Sequence, residues 1–239
     1  MKIALIGYGK MGKAIERLAL AAGHEVCLRW GGTASMDELS KALAACEVAI
    51  EFSRPDVAEA NIRTCLDAGI PLVCGTTGWT EHLAEIQAYA KLKMGRFLFA
   101  SNFSLGMNIL FELNRRLAAY MQQAPDFKVD MEEIHHIHKL DAPSGTAITI
   151  AEGIMEGHAG YSAWGDESAA QPVIPIQSKR IGEVPGTHEV RWQAAGMETL
   201  SLKHEAHSRD IFAQGALVAA GWLVQQEPGC YGMADVLGF

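Results

Sequence analysis

The sequence predicts an α/β protein in two parts: a first hundred residues built on a parallel sheet covered on both faces, then an α+β domain with an open mixed or antiparallel sheet. Three observations predict it. Short apolar runs alternate with amphipathic stretches through residue 100; a G-x-G-x-x-G loop joins the first of each; and beyond Asn102 strand-like runs follow one another without intervening helices.

Lys2–Ile6 reads as a strand buried on both faces, closed by glycine. Met11, Ile15, Leu18 and Ala22 then recur at helical steps, with Gly23 as the stop. Glu25–Trp30 is a second strand, and Ser35-Met36-Asp37-Glu38 has the form of a capping box before a short helix. Val48–Phe52 is apolar again, and Pro55 opens a helix to about Ala68, since proline is tolerated in a first turn. Leu72–Cys74, a helix from Thr80 to about Leu92, and Phe97–Ala100 complete the alternation. Beyond it come a helix near Met107–Tyr120 and strands at Lys128–Ile134, Val173–Arg180, His188–Gln193 and Thr199–His204. Ile211–Val224 is a final amphipathic helix, and the tail from Glu227 is expected to return to the first domain. Residues 157–171, rich in Gly, Ala and Ser, read as a loop. The expected division is therefore 1–102 with 211–239, and 103–210.

Composition narrows the function. With 49% hydrophobic and 20% charged residues the 239-residue chain can bury a core, and a net charge of −8 without a basic run argues against nucleic acid. Five scattered cysteines, Cys27, Cys46, Cys65, Cys74 and Cys230, include no C-x-x-C and read as reduced thiols. The apolar start is too short for a signal peptide and no stretch reaches membrane-spanning length, so a cytoplasmic protein is expected, with no membrane partner.

Gly7-Tyr8-Gly9-Lys10-Met11-Gly12 lies between strand and helix, where a dinucleotide fingerprint must lie. The first glycine allows the turn, the second admits a pyrophosphate, the third lets helix and strand pack closely. The acidic residue usual at the end of the second strand is missing: the strand ends in Leu28-Arg29-Trp30. Arg29, helped by Lys10, suits a 2′-phosphate and Trp30 suits stacking on adenine, which favours NADPH or use of both NADPH and NADH; in the competing reading Arg29 is solvated and Trp30 packs on the sheet edge. Gly75-Thr76-Thr77-Gly78 and Ser101-Asn102-Phe103-Ser104 follow strands at the end where such sheets bind ligands.

The most informative segment runs from Glu132 to Ala147. Three histidines, His135, His136 and His138, leave a strand end; Lys139 adds a positive charge; and Ser144-Gly145-Thr146 starts a helix whose amides suit an anion. Such a pocket suits a small carboxylate substrate, with His or Lys to deliver a proton. A metal is not expected, because adjacent residues of an extended segment point oppositely and a lysine opposes a cation.

The run Glu133-Ile134-His135-His136-Ile137-His138-Lys139-Leu140-Asp141-Ala142-Pro143-Ser144-Gly145-Thr146-Ala147 resembles the E-x-H-H-x-x-K-x-D-A-P-S-G-T-A signature of the 4-hydroxy-tetrahydrodipicolinate (dihydrodipicolinate) reductases. The glycine loop, Gly75 to Gly78, Asn102 to Ser104, and the closing His204 to Arg209 and Phe212 to Ala216 are similar as well. The resemblance implies reduction, with loss of water, of a cyclic imine dicarboxylate by NAD(P)H in lysine synthesis through diaminopimelate. It implies His135 as proton donor or acceptor, Lys139 as second donor, and His136, Ser144, Gly145 and Thr146 as substrate contacts. Cofactor contacts fall on Gly7 to Gly12, Gly75, Thr76, Thr77, Ser101, Asn102 and Phe103. Ser101 stands where many members have proline, and a homotetramer joined through the second domains' sheets is implied.

Overall fold

Ile3, Ala4, Leu5 and Ile6 are wholly buried, as expected of a strand flanked by helices on both faces. They belong to β1 (Lys2–Ile6), which is followed by α1 (Lys10–Ala21), β2 (Glu25–Trp30), α2 (Met36–Leu43), β3 (Val48–Glu51), α3 (Pro55–Asp67), β4 (Leu72–Cys74), a 3-10 turn at Thr80–His82, α4 (Leu83–Leu92) and β5 (Arg96–Phe99). The chain continues through α5 (Leu105–Met121), β6 (Phe127–His135), α6 (Gly145–Gly157), β7 (Ala163–Gly165), β8 (Val173–Arg180), β9 (Gly186–Ala194), β10 (Glu198–Ala206), α7 (Asp210–Leu223), β11 (Gly229–Tyr231) and α8 (Met233–Leu237). This computed structural model describes residues 1–31, 35–165 and 172–239. Two compact units result, Met1–Leu105 with Asp210–Phe239, and Gly106–Arg209.

The first unit is a six-stranded parallel sheet in the order β11-β5-β4-β3-β1-β2. Strand order reverses between β1 and β3, the switch point at which open α/β sheets bind ligands. Helices α1 and α7 cover one face with Ile15, Ala19, Ala213, Ala216 and Leu223 against Leu5, Ile50 and Val73; α2, α3 and α4 cover the other. The capping box at Ser35 is present, its side chain accepting from the Glu38 amide. The tail does return: β11 pairs in parallel with β5, Cys230 opposite Phe97.

The second unit is a mixed sheet, β10-β9-β6-β8-β7, antiparallel from β10 to β6 and parallel from β6 to β7. Alternate residues of β6, Val129 and Met131 among them, face the core made with α5 and α6. The opposite positions are polar: Arg191 pairs with Asp130, and Lys179 with Glu132 at 2.5 Å.

Two expectations need correction. The stretch 157–171 is not all loop, because Ala163–Gly165 pairs with Val173–Pro175 of β8; residues 166–171 lie outside the described residues. Nor are all five cysteines reduced: Cys27 and Cys46 form a disulfide across a Cα–Cα separation of 6.3 Å, while Cys65, Cys74 and Cys230 are free. Counting and spacing missed the pair because the turn after α2 carries Cys46 back beside β2. Among the described residues no helix is long and apolar enough to cross a membrane.

Candidate active site

The glycine loop of the first unit meets its steric demands one residue at a time. Gly7 has φ +90°, and a Cβ there would collide with the Phe52 carbonyl; a Cβ on Gly12 would collide with the Gly7 carbonyl. Gly9, the N-cap of α1, has open space where its Cβ would be, so a ligand can approach the backbone. A cleft of about 440 Å³ opens at the switch point, lined by Gly7, Tyr8 and Gly9 after β1 and by Phe52, Ser53 and Arg54 after β3, with Trp30 and Gly31 at its side. This cradle at a helix N-terminus fits a dinucleotide pyrophosphate.

Around the cleft the predicted residues divide. Lys10 and Thr77 are exposed, Met11 is half-buried against the core, and Thr76 is buried, its hydroxyl accepting the Ser53 amide at 2.8 Å. Ser101 is exposed, while Asn102 Oδ1 accepts the Ser104 amide at 2.9 Å. Phe103 is a core residue, 5.5 Å from the Phe52 ring. Arg29 is paired with Glu16 of α1, whose carboxylate also takes the Tyr8 hydroxyl. The Tyr8 hydroxyl and then Arg29 hold Glu16 below the usual carboxylate range. Sequence reasoning missed Phe52, Ser53 and Arg54; their signal was only that they follow a buried strand.

In the second unit the signature segment straddles the end of β6 and the start of α6. His135 is the last residue of β6 rather than part of a loop, and it is buried. His136 is half-buried, and desolvation first, then the Arg209 charge, lowers its pKa. His138 is exposed, 3.3 Å from Glu183. Lys139 donates to both oxygens of Asp141 at 2.8 Å. Ser144 caps α6, its hydroxyl accepting the Ala147 amide, and it is buried; Gly145, in the first turn, is exposed.

Beneath lies a buried network the sequence did not reveal. Glu133, two residues before His135 on the same strand face, takes the Ser144 amide at 3.2 Å and Arg180 Nη2 at 3.1 Å on Oε1. Its Oε2 lies 2.9 Å from His135 Nδ1. Burial alone would raise the Glu133 pKa, but His135, Ser144 and Ser178 outweigh it and hold the group well below the usual range. His188, opposite Glu133 across the β6–β9 ladder, bonds Ser144 Oγ through Nε2 at 3.2 Å; burial, then the His135 charge, pushes its pKa down to about 3. Glu133, His135 and His188 bring ligand atoms within 4.8 Å of one another, but Arg180 already compensates the carboxylate.

Residues 1–103 match the family model described as "Dihydrodipicolinate reductase, N-terminus", and residues 106–237 that described as "Dihydrodipicolinate reductase, C-terminus". A protein of Christiangramia forsetii named 4-hydroxy-tetrahydrodipicolinate reductase is 43% identical over 99% of this chain and 98% of its own. One of the same name from Akkermansia muciniphila is 40% identical over 96% of this chain and 94% of its own. Among solved structures, a dipicolinate-bound dihydrodipicolinate reductase from Paenisporosarcina sp. TG-14 superposes with a TM-score of 0.79 at 23% identity, covering 98% of this chain and 99% of that one; that likeness speaks to the fold.

Proposed function

The chain belongs to the dihydrodipicolinate reductase family, and from that membership we propose how its residues divide the work. The activity is the pyridine-nucleotide-dependent reduction of 4-hydroxy-tetrahydrodipicolinate to tetrahydrodipicolinate, with loss of water, on the diaminopimelate route to lysine. The first unit binds the dinucleotide, and the second binds the dicarboxylate and joins subunits into a homotetramer through its sheet.

The observation that carries this reading is the conjunction, within one unit, of a buried imidazole at the end of β6 with the N-terminus of α6 ten residues on. A dicarboxylate needs fixed positive ends. Lys139, His136 and the first-turn amides at Gly145 and Thr146 supply them, with the helix dipole in the same sense. Ser144 contributes by holding that turn in place, since its hydroxyl is engaged as the cap.

Bound at the Gly7–Gly12 loop, the nicotinamide cofactor supplies a hydride. His135 supplies the proton that completes the reduction, and Lys139, released from Asp141 by an incoming carboxylate, is the second donor. Holding the reactants in line is worth about 7–11 kcal/mol at best. On the cofactor side the chain carries a cation, Arg29, where a carboxylate would repel a 2′-phosphate, and this supports NADPH as the favoured donor. Glu16 competes for that cation, which supports continued use of NADH.

The test is to follow oxidation of NADPH and of NADH with freshly generated substrate, with dipicolinate as a planar competitor. Turnover with both nucleotides, a lower KM for NADPH, and competitive inhibition by dipicolinate are expected. Nucleotide binding without turnover would refute the assignment.

A further inference from the structure

We propose that Glu133 is a positioning residue for His135: its buried carboxylate holds the Nδ1 side of the imidazole, so that Nε2 is the nitrogen presented for proton transfer. The inference rests on the reading of His135 as the acid–base group.

A carboxylate with no exposed surface is costly unless every oxygen finds a donor. The two oxygens of Glu133 have separate tasks. Oε1 serves the fold, taking the Ser144 amide at the start of α6 and the Arg180 guanidinium of β8. Oε2 approaches His135 Nδ1 to 2.9 Å, off the line of an ideal hydrogen bond, and neither atom has another hydrogen-bond partner. Were Glu133 only an anchor for Arg180 and α6, Oε1 would suffice. The orphaned pair is the residue of that account.

Of the groups around Glu133, His135 makes the close approach to Oε2, while Ser178, opposite Glu133 on β8, adds a hydroxyl to the carboxylate. His188 lies 4.0 Å from that oxygen, is kept uncharged by burial, and has its Nε2 on Ser144 Oγ. Arg180 faces the other oxygen and also grips the backbone carbonyls of Lys139 and Asp141 at 3.3 and 2.5 Å. The two imidazoles meet edge to face with centroids 5.0 Å apart, which limits rotation of the His135 ring. On the far side Gly186 of β9 lies beside Nε2 without a side chain of its own.

An acceptor at Nδ1 selects the tautomer with its proton there, as the carboxylates behind metal-bound and catalytic histidines do. In the reductive step the Nε2–H bond breaks and a C–H bond forms on the substrate. The electron pair returns to Nε2, the Nδ1 proton stays on the ring, and Glu133 remains ionised throughout.

The test compares the full-length wild type, Glu133→Gln, His135→Gln and the double variant, recording kcat, KM for NADPH and the thermal midpoint of each. Glu133→Gln is expected to lower kcat about 10²-fold or more with KM for NADPH within about twofold. In the His135→Gln background the same change should alter kcat by less than about threefold, because its effect passes through the imidazole. Losses that multiply in the double variant would mark a structural role and overturn the proposal. If Glu133→Gln does not fold, Glu133→Asp keeps a charge for Arg180 while withdrawing Oε2 by a methylene. It should lose about tenfold in kcat with nucleotide binding intact, and wild-type kcat there would overturn the proposal. A wild type without turnover sinks both readings; turnover indifferent to Glu133 sinks only this one.

Discussion

Lys139 and Arg29 are the two cations on which the functional reading leans, and each already has an anionic neighbour. Lys139 bonds Asp141 through both oxygens, so its ammonium is held at one point of the loop, and the proposed function requires a substrate carboxylate to compete for it. Lys139→Ala is expected to reduce kcat/KM about 10²-fold, and Lys139→Arg to leave most of that loss, since a guanidinium keeps the charge but is a poor proton donor. Steady-state kinetics on the two variants decides: full activity with arginine would mean that charge alone suffices. Arg29 sits on Glu16 at the surface, where screening keeps such pairs weak. Arg29→Asp should raise the KM for NADPH by about three- to tenfold and leave that for NADH little changed, while Glu16→Gln, which frees the guanidinium, should lower the NADPH value. Equal effects on both nucleotides would remove Arg29 from phosphate recognition. At this scale the sequence was most legible where the constraint is local: Gly7 and Gly12 are read from sterics within one turn. Glu133 was read as a letter of a motif, but its partners Arg180 and His188 lie 47 and 55 positions further on, and no local spacing announces them.

Elements were legible wherever burial imposed a period. β2, β4 and β8 have the expected bounds, α1, α3, α5 and α7 differ by a residue or two, and α4 starts three residues late behind a 3-10 turn, because an apolar stripe at helical or strand spacing is written into the chain itself. β7 was missed for the complementary reason: three residues carry no period, and Ala163–Gly165 is a strand only because β8 offers it a backbone edge. The junction of β6 with α6 is where element and site coincide. Ser144→Ala removes the cap of α6 and also the hydroxyl on His188; a loss of about 1–2 kcal/mol in unfolding free energy is expected, measurable by urea titration. A stability equal to wild type would mean the helix start is held by Glu133 alone. The β6–β9 ladder sets a second expectation. His188 is kept neutral down to about pH 3 when folded but binds a proton near 6.5 when unfolded, so the unfolded chain holds more protons between these values. Stability is therefore full above about pH 6.5 and declines on acidification toward 3, with loss of the Glu133 carboxylate adding to the decline at the acid end. Calorimetry from pH 7 to 4 should show a falling midpoint, and a smaller fall in His188→Asn; identical slopes would refute the assignment.

For the whole molecule, the division into a parallel-sheet part and a mixed-sheet part was readable from the change in element order after residue 100, and the return of the tail was foreseen without its partner strand. What the order could not give was the pairing of β11 with β5, a contact that depends on all of residues 100–228 between them folding as they do. The first unit is discontinuous: α7 buries Ala213, Ala216, Ala219, Ala220 and Leu223 in its core against β3, β4 and β5, so that Ile50, Val73 and Leu98 lose that cover if the helix is removed. Truncation after residue 209 is therefore expected to abolish nucleotide binding, as monitored by titration with NADPH, and retention of binding would show that the first hundred residues close by themselves. The same discontinuity orders events in time. On the ribosome, residues 106–209 can be complete while the inner face of the sheet made by the earliest residues still waits, its apolar strands open to neighbours, for thirty residues not yet translated. The end of the chain that emerges first is the end that finishes last, and a stalled or nicked product should be caught by chaperones through that face rather than through the later-made sheet.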